Sequence, residues 1–209
     1  MLEGDVQVSA SQVAKLINFG AQFGIGSHQY WDFCLEKLES KMKELDAPKA
    51  IRVINTLKDC GLLTQTLSFG MTDHLLNSKG LSAENLSILL IIAQCDDIDY
   101  IYRSMGKFDK LSKGIQSIEK QLIKSIKDVN EEVFGRVCYS LDEEVMMESL
   151  LKKVKIDVSK LSLDDLPHVM RAYHQVGNME MKNSLEAIAK NKFLSLTPNQ
   201  CANIIVQCG

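Results

Sequence analysis

Val8 to Gly24 reads VSASQVAKLINFGAQFG, and Leu45 to Gly61 reads LDAPKAIRVINTLKDCG. The two align without a gap at an offset of 37. Each opens on an apolar residue followed by a helix-capping type, Ser9 or Asp46, and then alanine. Each places apolar side chains 5, 8 and 9 positions on, at Val13, Leu16 and Ile17 or Ala50, Val53 and Ile54. Each then has asparagine, Asn18 or Asn55, and closes on glycine, Gly24 or Gly61. That spacing is one apolar stripe of an amphipathic helix. Its repetition at a fixed period is the signature of stacked supersecondary units.

Four further copies follow. LSAENLSILLIIAQC starts at Leu81, VNEEVFGRVCYSL at Val129, LSLDDLPHVMRAYHQVG at Leu161 and LTPNQCANIIVQCG at Leu196. The successive spacings are 37, 36, 48, 32 and 35, so the third unit is expected to carry an insertion within residues 97–128. The second residue of each unit (Ser9, Asp46, Ser82, Asn130, Ser162, Thr197) can accept a hydrogen bond from the unpaired N–H groups of a first helical turn. Pro48 and Pro198 fall in that turn, where the missing N–H costs little. Gly24, Gly61 and Gly177 are expected as left-handed C-caps. Pro167 lies too deep for a first turn, so the fifth helix is expected to start late or to kink.

The second half of each unit is also helical in period: Phe33, Leu35, Leu38 and Met42; Leu67, Met71, Leu75 and Leu76; Met181, Leu185 and Ile188. One unit therefore reads as an antiparallel helix pair, which cannot bury its own apolar face until pairs stack. The expected architecture is all-α, an α-solenoid of about five and a half units of ~36 residues forming one array over residues 1–209. The half unit at the end predicts either further chain or a covering partner.

Composition sets bounds on partners. The net charge of −3 is far from the basic balance of proteins that coat nucleic acid, so any RNA contact must come from a local patch. Six cysteines, at 34, 60, 95, 138, 201 and 208, form no CxxC pair and read as free thiols in a reducing compartment. No run of apolar residues is long enough for a membrane helix, and no presequence opens the chain.

The openings Leu81-Ser82-Ala83-Glu84-Asn85-Leu86 and Leu161-Ser162-Leu163-Asp164-Asp165-Leu166 resemble octotricopeptide and heptatricopeptide repeats. Those repeats occur in organellar proteins, including ones with FAST-kinase-like or RAP domains. The resemblance implies a mitochondrial location and service to RNA within or beside a ribonucleoprotein such as the mitochondrial ribosome.

Stacked first helices would line up the positions opposite the core stripe. The seventh position after each start holds Lys15, Arg52, Ile88, Arg136, His168 and Asn203, and the tenth holds Asn18, Asn55, Ile91, Tyr139, Arg171 and Val206. Residues three apart are neighbours on a helix. Cations would meet phosphate while Asn, Tyr and Arg meet bases, as in repeats that read one base per unit. The same residues are also what the solvated face of any amphipathic helix carries. Ile88 and Ile91 interrupt the polar column and read as an apolar spot for a protein partner.

A second basic feature runs through the insertion: Arg103, Lys107, Lys110, Lys113, Lys120, Lys124 and Lys127 stand against only Asp109 and Glu119. Spacings of 3, 4 and 7 allow several to share a helix face, which is again also the pattern of a solvated surface helix. The acidic run Asp142-Glu143-Glu144 reads as a solvated turn.

Catalysis is not expected. Gly20 to Gly26 lacks the Gly-Lys-Ser/Thr of a phosphate loop, and His28, His74, His168 and His174 form no HExxH and no zinc spacing with cysteine. Ser27-His28 has no third group to orient it. Asp164-Asp165 sits at a helix start, where carboxylates favour the dipole. No cofactor, metal or small-molecule substrate is anticipated. Two functions remain open: RNA binding through the columns and the basic stretch, or a structural accessory subunit that scaffolds a protein complex without RNA.

Overall fold

A computed structural model describes residues 7–141, 143–192 and 195–208, and the side chains at 203 and 206–208 are not among those described. Among the described residues all regular structure is helical, with twelve α-helices and no strand.

Two compact units divide the chain. The first takes the described residues of Met1–Leu81 together with Ile92–Ile115. It holds α1 (Ala10–Phe23), α2 (His28–Lys41), α3 (Ala47–Asp59), α4 (Gln65–Leu75) and α6 (Asp96–Ser104). Helix α1 packs on α2 and on α3, α3 on α4, and α4 on α6. The second unit takes Ser82–Ile91 and the described residues of Gln116–Gly209. It holds α8 (Glu131–Ser140), α9 (Glu144–Lys153), α10 (Leu166–Gln175), α11 (Met179–Asn191) and α12 (Pro198–Cys208). Here α10 is the hub and packs on α8, α9, α11 and α12. Helices α5 (Ala83–Ala93) and α7 (Phe108–Lys124) each contribute residues to both units.

The capping residues do what their chemistry allows. Ser9, Asp46, Ser82, Asn130, Ser162 and Thr197 each accept a hydrogen bond from the backbone N–H three residues on. Ser9 and Thr197 complete a reciprocal box, because the side chains of Gln12 and Gln200 accept from their backbone N–H groups. Helices α1, α3, α5, α8 and α12 all begin two residues after the apolar residue that opens their segment. Helix α10 begins five residues after Leu161, so that Pro167 is its second residue and needs no kink. Gly24, Gly61 and Gly177 adopt φ of 60°, 67° and 72°, the left-handed caps that end α1, α3 and α10.

The stripes lie in the cores. Ala50, Val53, Ile54 and Leu57 of α3, and Leu166, Val169, Met170 and Tyr173 of α10, are all buried. So are Leu86, Leu89, Leu90 and Ala93 of α5, and Phe134, Val137 and Cys138 of α8 with Leu141 just beyond it. Burying each large apolar side chain stabilises the fold by about 1.5–3 kcal/mol. Second helices supply the facing layer through Leu38, Leu67, Met71, Leu75 and Leu185. Among the described residues no helix is long and apolar enough to cross a membrane.

Candidate functional site

The two columns meet different environments in the two units. In the first unit, Lys15 and Asn18 of α1 and Arg52 of α3 are exposed, and Asn55 is half-buried. Thr56 Oγ1 donates to Asn18 Oδ1 at 3.0 Å, tying α3 beside the exposed side of α1. Asn55 Nδ2 donates to Asp59 Oδ2 at 3.0 Å within its own helix. Arg52 Nε donates to the Pro48 carbonyl one turn back, at 3.3 Å, and its charge also acts on Asp46. Lys15 has no ion-pair partner among the described residues.

In the second unit the corresponding side chains are engaged. Arg136 Nη1 pairs with Glu84 Oε1 at 3.0 Å. Arg171 Nη2 donates to the carbonyls of Cys138 (3.1 Å) and Tyr139 (3.3 Å), in the last turn of α8. Those carbonyls have no partner inside the helix, and a cation there also suits the helix dipole. His168 is half-buried with its ring 4.5 Å from that of Tyr139, and the Arg171 guanidinium stands 5.9 Å from the Tyr139 ring centre. Burial first, and the Arg171 charge second, hold the His168 pKa below its ordinary value, so the neutral imidazole is favoured. Among the described residues, neither His168 Nδ1 nor Arg171 Nε has a hydrogen-bond partner, and both atoms are buried.

The apolar spot expected at Ile88 and Ile91 is largely withdrawn from solvent at Ile88 and only partly so at Ile91. Ile88 is 8% exposed and Ile91 is half-buried, because the column that faces solvent in α1 and α3 turns inward in α5. Asn203 and Val206 of the same columns, and Asp142 of the acidic run, lie outside the described side chains.

The basic stretch does not lie on a single helix. Arg103 belongs to α6, Lys107 to the turn after it, Lys110, Lys113, Lys120 and Lys124 to α7, and Lys127 to the short 3-10 segment Ile126–Asp128. Three of its cations are held locally. Arg103 pairs with Asp99 and lies 3.8 Å over the Phe108 ring centre, Lys107 stands 4.9 Å over Phe69, and Lys110 pairs with Asp73. Surface contacts of this kind contribute about 0.5–1 kcal/mol each. Lys113, Lys120, Lys124 and Lys127 are exposed.

No family model matches this chain, and no curated protein or solved structure matches it.

Two features went unread in the sequence. Phe19 and Phe23 of α1 are more than half exposed, with ring centres 4.7 Å apart. They fall outside the core stripe, and an aromatic pair off the stripe is the signal that finds them. A cavity of about 390 Å³ in the first unit is lined by Lys58, Leu63, Gln65, Ser68, Cys95, Asp97 and Tyr100 among others. It gathers residues from α3, α4 and α6, and no local pattern announces it. Among the described residues no group of three or more His, Cys, Asp or Glu stands together as metal ligands would.

Proposed function

We propose that the chain is a non-enzymatic binding module, an α-solenoid of helical hairpins that engages RNA through its first helices. The observation that carries the reading is the open pair Lys15 and Arg52. They occupy equivalent positions on α1 and α3, two helices that pack together and are joined by the Asn18–Thr56 bond. The side-by-side first helices α1 and α3, and α8, α10 and α12, are the local contacts a stacked array requires. The resemblance to octotricopeptide and heptatricopeptide repeats adds the setting: mitochondrial RNA machinery, within or beside a ribonucleoprotein such as the mitochondrial ribosome.

The test is binding to mixed single-stranded RNA across a salt series. Each phosphate neutralised contributes about 0.7 to the slope of log K against log salt. Lys15→Ala with Arg52→Ala is therefore expected to flatten that slope by about 1.4. Binding with an unchanged slope in the double variant would remove these two residues from the interface.

A second reading is a structural accessory subunit without RNA contact. The engagement of Arg136, Arg171, Arg103 and Lys110 inside the chain favours it, as does the net charge of −3. No RNA binding at low salt would decide for this reading.

A further inference from the structure

We infer that the exposed face of α1 is a stacking platform for unpaired nucleobases, with Phe19 and Phe23 as its two aromatic steps. The inference rests on the RNA reading above and names the part of the ligand that the first unit grips.

Four observations converge on this face. Phe19 is 52% exposed and Phe23 56%, and their rings lie 4.7 Å apart at an interplanar angle of 48°. Folding normally hides a phenylalanine, whose burial contributes about 1.5–3 kcal/mol. Here two adjacent ones are left in solvent on the same side of one helix. Their surroundings are the second observation. Lys15, Phe19 and Phe23 follow one another at intervals of four, so the ammonium sits one turn before the first ring. Asn18 and Gln22, both exposed, flank the rings with amide groups that can donate to and accept from base edges.

The third observation is charge. From Gln7 to Trp31 the chain contains no aspartate or glutamate, although 27 acids are spread over its 209 residues. A phosphate backbone laid along α1 meets no carboxylate of that helix. The fourth is continuity. Thr56 of α3 bonds to Asn18, and Arg52 is exposed one turn before Thr56, so a second cation adjoins the same face.

Aromatic rings that accept bases by stacking, cations that follow phosphate and amides that read edges are the parts of a single-strand site. Bases in a duplex are already stacked on each other and leave no π-face for Phe19 or Phe23, so the ligand chemistry is single-stranded RNA. Stacking accepts any base, which makes this part of the surface tolerant of sequence.

The experiment compares the wild-type chain, Phe19→Ala/Phe23→Ala, Phe19→Leu/Phe23→Leu and Phe19→Tyr/Phe23→Tyr for binding to a fluorescent uridine 12-mer and to a duplex RNA of equal length. Thermal melting monitors folding of each variant. The alanine pair is expected to weaken single-strand binding about a hundredfold, on the order of tenfold for each ring. The slope against salt should stay unchanged, because no cation is removed. Leucine should fail nearly as badly as alanine, since it restores apolar area without a π-face, and tyrosine should bind as wild type does. Duplex should bind weakly throughout.

Wild-type affinity in the alanine pair overturns the platform while leaving the RNA reading in place. Leucine that rescues as well as tyrosine also overturns it, and assigns the patch to apolar contact with a protein. Duplex bound as tightly as single strand does so too. Absence of any single-strand binding by the wild-type chain removes the RNA reading and the platform together.

Discussion

The α1–α3 pair and the α8–α10 pair carry the same positions of the same sequence pattern, yet their polar columns end up differently. On α1 and α3, Lys15 and Arg52 extend into solvent. On α8 and α10, Arg136 is paired with Glu84 and Arg171 is turned onto the end of α8. For Arg171 the cause lies in how the preceding helix ends. Gly24 and Gly61 close α1 and α3 in the left-handed conformation. The N–H of Ile25 then bonds to the Gly20 carbonyl at 2.9 Å, and that of Leu62 to the Leu57 carbonyl at 2.8 Å. Helix α8 has no such glycine: it ends at Leu141 in extended conformation. Its last carbonyls need another donor, and the guanidinium one helix along supplies it. Arg171 is thus a donor to the end of a helix that lacks a glycine cap, where the same position of α1 and α3 holds Asn18 and Asn55.

The largest effect that tests this comparison concerns how closely α10 approaches α8. Gly135 of α8 lies directly under Asp165, and a Cβ on it would stand 2.1 Å from the Asp165 Cβ. The corresponding position in α1 is Ala14, which has a Cβ and is buried without conflict. Gly135→Ala is expected to cost about 3 kcal/mol or more, because the clash is with a short side chain anchored by Ser162 and cannot swing away. Denaturant unfolding measures it. A loss below about 1 kcal/mol, the scale of an ordinary surface change, would mean that α8 and α10 are not in close contact.

Arg171 comes next. Replacing it with alanine removes a charged donor from two carbonyls of α8, and bonds to charged groups contribute about 1.5–3 kcal/mol. The expected fall in Tm is on the order of 5 °C. Lys15→Ala and Arg52→Ala are expected to change stability by less than about 0.5 kcal/mol, as exposed substitutions do. The same Arg171→Ala variant should leave any salt slope of RNA binding unchanged. The opposite result, an unchanged Tm with a flattened slope, would return Arg171 to the binding column and dissolve the distinction between the two pairs.

The helix starts, the left-handed glycines and the buried stripe were legible in the sequence because each depends on residues within one helix or one turn. Ser9 finds its acceptor geometry three residues away, and Gly24 takes its conformation without help from elsewhere. The candidate site was legible only where it needed no distant partner. Lys15 and Arg52 were read as exposed and are. Arg136 found Glu84 at a separation of 52 residues, and Arg171 found the end of α8 at a separation of 33. No periodicity encodes either separation. Ile88 escaped for a related reason: α5 is apolar nearly all round, so position relative to the stripe does not say which of its faces meets solvent.

The smallest effect is a slope with pH, and it too belongs to the α8–α10 side. Burial, and then the Arg171 cation, keep the folded-state pKa of His168 below its ordinary value of 6.5, with Asp165 and Asp164 opposing. The unfolded chain therefore takes up a proton more readily than the folded one. Between the ordinary value and the lower folded value, the unfolded state binds more protons, so stability rises with pH. Read downward, the contribution is complete above about pH 6.5 and is lost as pH falls toward the folded pKa. Three carboxylates also have lowered pKa values, from ordinary values that lie further toward acid. Asp46 is lowered by the bond from Lys49, Glu131 by backbone N–H groups and Asp157 by Ser159, so their contributions fade only at more acidic pH. The two windows are distinct. His168→Gln keeps a polar side chain that takes no proton, and it should flatten the fall of Tm that begins below about pH 6.5 while leaving the fall below about pH 4 intact. A slope just below about pH 6.5 that survives in the variant would assign the acid response to another group. The α8–α10 contact would then grip its imidazole no more tightly than α1 and α3 grip their open column.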